Sequence, residues 1–189
     1  MKQEKTRNLT LAAMFFTLGL VLPFLTGQIP AIGKMLLPMH IPVLLCGLIM
    51  GWKYGLIVGF FLPLVRGAMF GMPALFPNGT AMAFELAAYG FVSGLLFGRS
   101  KWKCTLALYR ALLIAMAAGR VVWAAAEVVI LGIGGSSFTW EMFMAGAFIN
   151  ALPGIVLQLI LIPTVMVALH KAKLVPLKDA AESAVKPGF

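Results

Sequence analysis

Long apolar runs, each close to the length of a membrane crossing, constrain this chain more than any other feature. TLAAMFFTLGLVLPF (10–24), LPMHIPVLLCGLIMGWKYGLIVGFFLPLVRG (37–67) and PNGTAMAFELAAYGFVSGLLFGR (77–99) follow one another with few charges between them. A helix of roughly 20 apolar residues reaches across a bilayer. In lipid each spanning segment must satisfy its own backbone hydrogen bonds, which a helix does and an open strand does not. Composition agrees: 61% of the residues are hydrophobic and 11% charged, with a mean hydropathy of +0.99. A soluble domain of this size needs far more polar surface to cover its core. The weak apolar-polar alternation argues against a β-barrel. The expected fold class is therefore all-α integral membrane: a compact bundle of six transmembrane helices forming a single membrane domain over residues 1–189, with no separate soluble domain.

The apolar periodicity and its breaks place the six spans at about 8–27, 38–51, 53–69, 79–98, 105–133 and 146–170. Spans two and three are short and meet in a tight hairpin at Trp52-Lys53. The 66–78 loop holds two glycines and two prolines and cannot be one continuous helix. A flexible loop is expected at 132–140, and the tail 171–189 is polar and frayed. The basic start followed by an apolar run resembles a signal peptide, but Pro23 follows it without a convincing small-residue cleavage site, which predicts a retained first helix.

Orientation follows from the lysine and arginine bias. With a cytoplasmic N-terminus, eleven of the fifteen basic residues fall on the inner side and only Lys34 falls clearly outside. Both termini are then cytoplasmic. The net charge of +9 holds this topology against the anionic inner leaflet, and nucleic acid is not needed as a partner.

Under this topology the intramembrane polar groups gather toward the outer half. His40 stands at the outer end of span two and Arg66 near that of span three. Glu85 lies about two turns into span four, with Tyr89 one turn further on. Glu127 lies below the outer end of span five, with Arg120 and Trp123 deeper on the same helix, and Asn150 opens span six. The inner half is nearly bare, apart from Arg110 early in span five and Gln158 midway along span six. Charges within a span are expensive and face a cavity or a partner, so these residues predict a polar cavity open to the outside. The competing reading is that Arg120, seven residues from Glu127, pairs with it or with Glu85 and lines nothing. Trp123 either stacks on a flat ligand or packs in the core.

The glycines at 47, 51, 55 and 59, and those at 90, 94 and 98, form small-residue stripes that let helices approach closely. Cys46 and Cys104 have neither disulfide nor metal spacing. No phosphate-binding glycine loop, no HExxH-type metal motif and no base near Ser136 or Ser137 is present, so no enzymatic activity, metal or cofactor is expected. Trp52 and Trp102 suit the inner interface and Trp140 the outer.

The basic start with TLAAMFFTLGLVLPF, the 37–67 block and the 77–99 block together resemble the substrate-binding subunit (S component) of energy-coupling factor (ECF) transporters, which import vitamins and related micronutrients in bacteria. The likeness runs over about residues 6–170 and is most specific at 36–99. It implies a six-helix fold in the bacterial cell membrane. The ligand would bind beneath the outer loops, through His40, Arg66, Glu85, Tyr89, Arg120, Trp123, Glu127 and Asn150. The implied partners are a transmembrane coupling subunit and two cytoplasmic ATPase subunits. The family's AxxxA pattern on helix one is matched here by Ala13 and Thr17, with threonine in place of the second alanine.

The expected function is a high-affinity, non-enzymatic binding subunit of an ATP-driven importer. The alternative is a structural or assembly membrane protein whose buried ion pairs serve specificity. Arg66, Arg120 and His40 suit a carboxylate or phosphate, as in pantothenate or folate. Glu85 and Glu127 equally suit amino or amide groups, as in a pterin, deazapurine or thiamine.

Overall fold

The computed structural model describes residues 2–26, 36–100, 104–133, 139–146 and 151–175, and every regular element among them is helical. Helix α1 covers Lys2–Val21 and tightens into a narrower turn over Leu22–Thr26, where Pro23 removes a backbone donor. Helix α2 (His40–Met50) and α3 (Trp52–Phe70) form the expected hairpin. Its single connecting residue, Gly51, has φ 93°, a conformation that a residue with a Cβ rarely takes. Gly71, left-handed at φ 70°, ends α3 by donating its N–H to the Gly67 carbonyl. An irregular turn, Leu75–Gly79, leads into α4 (Thr80–Arg99). Helix α5 (Thr105–Ile133), a short α6 (Trp140–Met144) and α7 (Leu152–Lys171) complete the order.

Among the described residues, five stretches are long and apolar enough to cross a membrane: Lys5–Leu25, Trp52–Phe70, Leu75–Arg99, Thr105–Ile133 and Leu152–Lys171. The second expected span differs. Helix α2 has 11 residues, about 16 Å of helix, against a hydrocarbon core of roughly 30 Å. The loop expected at 132–140 lies mostly outside the described residues; after it Trp140–Met144 is helical with Glu141 in its first turn, where a carboxylate is stabilised by the helix dipole. The last long helix begins at Leu152, later than the expected 146, with Pro153 in its first turn, a position that needs no backbone donor.

Helix α4 is the centre of the bundle, packed against α2, α3 and α5. Helix α1 leans on α2 and α3, and α7 on α5 and α2. Close approach at the centre depends on glycine. A Cβ on Gly47 would come within 2.5 Å of the Gly90 carbonyl oxygen, and one on Gly55 within 2.6 Å of the same atom. Gly94 is held against the α2–α3 hairpin in the same way, whereas Gly98, at the end of its stripe, faces open space. Helices in lipid gain little from burying apolar groups against each other, so this backbone-to-backbone fit is what holds them. Leu44, Leu62, Leu86, Leu112, Ile162 and Met166 fill the interior. The outward faces carry Ile57, Phe61, Val121, Val129 and Ile160, each more than half exposed. So much exposed apolar surface along long helices belongs against lipid.

Candidate ligand-binding site

Within this apolar bundle His40, Arg66, Glu85, Arg120, Glu127 and Gln158 are buried. Three of them, from three helices, converge on one carboxylate. The first residue of α2, His40, presents its ring there. Glu85, in the second turn of α4, shares the bundle-facing side with Ala81, Leu86 and Tyr89. Arg120 lies on the α5 stripe formed by Leu112, Met116, Gly119 and Glu127. Arg120 Nη1 stands 2.8 Å from Glu85 Oε1, and His40 Nε2 stands 3.7 Å from the same oxygen. Tyr89, one turn along α4, is within hydrogen-bonding reach of Glu85. Its ring meets that of His40 edge-on, with centroids 5.1 Å apart. The absence of a side chain at Gly119 makes room for the Tyr89 ring, since a Cβ there would come within 2.8 Å of Cε1.

Arg120 sits near the middle of α5 yet meets a residue near the start of α4, because α5 is the longer helix. Its 29 residues make about 43 Å, and it continues past α4 to pack on the turn at Leu75–Gly79.

The Glu85 carboxylate is the acidic partner in both ion pairs among the described residues. Of the two partners open to Arg120 in the sequence, the structure selects Glu85. Glu127, 4% exposed, forms no ion pair among the described residues but lies within electrostatic reach of Glu85.

The cluster is not internally satisfied. Among the described residues, both ring nitrogens of His40, Nε and Nη2 of Arg120 and Oε1 of Glu85 are buried without a hydrogen-bond partner, and so, on α7, is Nε2 of Gln158. Each buried polar group left in this state costs about 1–3 kcal/mol, so six such atoms are an expensive arrangement for a bundle that does nothing with them. Gln158 lies outside the expected site. Its signal in the sequence is a lone amide in an otherwise apolar span, and the structure turns it inward on the same stripe of α7 as Gly154, Ile162 and Met166.

Arg66, expected among the ligand-facing residues, is engaged with α1. Its Nη1 donates to the Leu20 carbonyl at the end of α1, and its guanidinium carbon lies 5.0 Å and 5.4 Å from the Phe24 and Phe70 ring centres. It thus fastens the end of α3 to the end of α1. Trp123 packs toward the stretch after α6: a Cβ on Gly146 would come within 2.5 Å of its Cη2. Asn150 lies outside the described residues. Ala13 and Thr17 share an exposed face of α1, and the Thr17 hydroxyl donates to the Ala13 carbonyl at 2.9 Å.

Searches among curated proteins and among solved structures found no match. Comparison with protein families matches residues 7–166 to the family described as ECF transporter, substrate-specific component. A buried polar cluster with unmet hydrogen bonds, inside a bundle of apolar helices, is what a substrate-specific membrane component requires, and the chain belongs to that family.

Proposed function

We propose that this substrate-specific component binds a water-soluble vitamin or related micronutrient at the Glu85 cluster and delivers it to an ATP-driven importer. The observation that carries this reading is the set of buried nitrogens on His40 and Arg120 that, among the described residues, have no hydrogen-bond partner around the Glu85–Arg120 pair. His40, Glu85, Tyr89, Arg120 and Glu127 form the site together with Trp123, and Asn150, outside the described residues, is expected from the sequence to join them. In this reading six helices cross or enter the bacterial cell membrane, the short α2 included, with both termini cytoplasmic and the cluster toward the outer face. A transmembrane coupling subunit docks on the Ala13–Thr17 face of α1, and two cytoplasmic ATPase subunits hydrolyse the ATP. The chain itself is a binding subunit and not an enzyme. Of the two vitamins named from the sequence, a folate-like compound fits better than pantothenate, because it can present an uncharged pterin ring to the cluster and keep its carboxylates outside it. The second guanidinium that an anion would need, that of Arg66, is engaged with α1.

A purely structural role is the second reading, and the Glu85–Arg120 pair is the observation that favours it. Native mass spectrometry of protein purified from rich medium decides between them. A small water-soluble compound, retained by the wild type and lost from Arg120→Gln, is the expected result. Protein that carries nothing and gains no thermal stability from any vitamin would leave only the structural role.

A further inference from the structure

We propose that the end of the bundle opposite the Glu85 cluster carries a site for the headgroup of an anionic phospholipid, built from Lys5, Lys53 and Arg99 around Gly98. It is separate from micronutrient binding and needs only a bilayer interface at that end of the helices.

Helix register makes a recess there. Helices α1 and α4 each pack on both helices of the α2–α3 hairpin, but the hairpin's tip stops short of their ends. Gly94 lies against the tip, since a Cβ on it would come within 2.5 Å of the Trp52 nitrogen. From there α4 runs on to Arg99, about 7 Å further. On the other side α1 runs parallel to α3: Gly19 meets Leu62, the Leu20 carbonyl meets Arg66, and Phe24 meets Phe70. Gly19 stands about 25 Å from the start of α1 at Lys2, whereas Leu62 stands about 15 Å from the start of α3 at Trp52. The tip is thus set back by about 7–10 Å, close to the roughly 5–8 Å thickness of one headgroup layer.

Two faces are left bare by that shortfall. Lys5 continues the stripe of Ala12, Phe15 and Gly19, whose members are buried, yet Lys5 is exposed. Gly98 continues the Gly90–Gly94 stripe of α4 and meets nothing within 4 Å. Between them Trp52, edge-on to Phe91 at 5.5 Å, closes the recess and carries the Lys53 ammonium 5.5 Å from its ring centre. Lys5, Lys53 and Arg99 are all exposed, and none belongs to an ion pair among the described residues. Three cations around a notch of headgroup depth call for a phosphate. Leu56 and Ile57, one turn from Lys53 on the same side of α3, are exposed as well and offer acyl chains an apolar wall. An anionic head joined to apolar chains matches both surfaces, and a free phosphate matches only one.

Native mass spectrometry of protein released from nanodiscs of mixed phosphatidylglycerol and phosphatidylcholine tests the site, together with thermal unfolding in detergent titrated with each lipid. The wild type should retain phosphatidylglycerol in preference and be stabilised by it. Lys5→Gln, Lys53→Gln and Arg99→Gln should each weaken that lipid by about fivefold. Lys171→Gln, which removes an equal charge from the end of α7, should leave it unchanged. Gly98→Leu removes no charge but fills the recess. With open space at that position, the lipid-free variant should unfold at the wild-type temperature and lose the preference for phosphatidylglycerol. An equal effect of Lys171→Gln, or none of Gly98→Leu, would reduce the interaction to diffuse attraction and overturn the site. A wild type that does not distinguish the two lipids would overturn it too. Loss of co-purification with the coupling subunit in Gly98→Leu, with lipid retention unchanged, would assign the recess to that protein instead. None of these outcomes touches vitamin binding at the Glu85 cluster.

Discussion

Glu85 and Arg66 show how differently two buried charges can be used in one bundle. Glu85 gathers Arg120 and His40 but leaves most of their nitrogens unmet, whereas Arg66 has its needs met within the protein by Leu20, Phe24 and Phe70. Neutral replacements should therefore separate them. Glu85→Gln and Arg120→Gln are expected to remain folded and lose ligand affinity. Each charge-assisted hydrogen bond removed is worth roughly 1.5–3 kcal/mol, about ten- to more than hundredfold in affinity. Arg66→Gln should do the reverse: about 1–3 kcal/mol of stability lost, with affinity changed by less than about threefold. Thermal unfolding and calorimetry on the three proteins read both quantities, and collapse of Glu85→Gln without any selective loss of binding would show the pair to be an internal brace. The sequence marked all these residues, because a charge inside an apolar run is conspicuous in itself. It left open whether Arg120 pairs with Glu127 or with Glu85, since spacing along α5 permits either and the relative lengths of α4 and α5 decide. Arg66 could not be told from Arg120 by any local pattern, because its partner is a backbone carbonyl in α1.

At the level of helices, the small-residue stripes were legible as packing surfaces, but not which glycines within them are indispensable. Gly90 meets the Gly55 backbone, whereas Gly98, two steps along the same stripe, meets nothing. Gly90→Val should thus force α3 and α4 apart and cost at least the roughly 1–3 kcal/mol typical of an overfilled core. Gly98→Ala should be neutral or stabilising by up to about 1 kcal/mol, through lower freedom of the unfolded chain. Equal thermal shifts for the two would contradict the observed packing. Helix α1 presents a different face. Ala13 and Thr17 are exposed there beside Met14 and Leu18, and the Thr17 hydroxyl is satisfied inside the helix, so on that face threonine acts as a small apolar residue. Ala13→Trp should abolish co-purification with the coupling subunit while ligand affinity stays within about twofold of wild type. The shortness of α2 was legible, because Trp52-Lys53 interrupts the apolar run; the positive φ by which Gly51 divides α2 from α3 was not.

For the whole molecule, the asymmetry of basic residues is a statement about a bilayer, and the arrangement of the helices alone does not carry it. Eleven basic residues on one side against Lys34 on the other predict that both termini are cytoplasmic. A cysteine placed at Ser183 in a Cys46→Ala, Cys104→Ala background should then resist an impermeant thiol reagent on intact cells and react after permeabilisation. Labelling of intact cells would invert the topology and turn the Glu85 cluster toward the cytoplasm. That orientation bears directly on transport. A binding site that opens only outward cannot by itself release its ligand inside, and the sequence offers no nucleotide-binding loop with which to drive a reorientation. Liposomes containing this chain alone should therefore bind ligand at their outward-facing sites without accumulating it, whether or not ATP is enclosed. Adding the coupling subunit and both ATPase subunits should produce uptake that depends on ATP, and Ala13→Trp should remove that uptake while leaving surface binding in place. Accumulation by the chain alone would instead require the cluster to open to both sides of the membrane, and the partner-dependent mechanism would then be wrong.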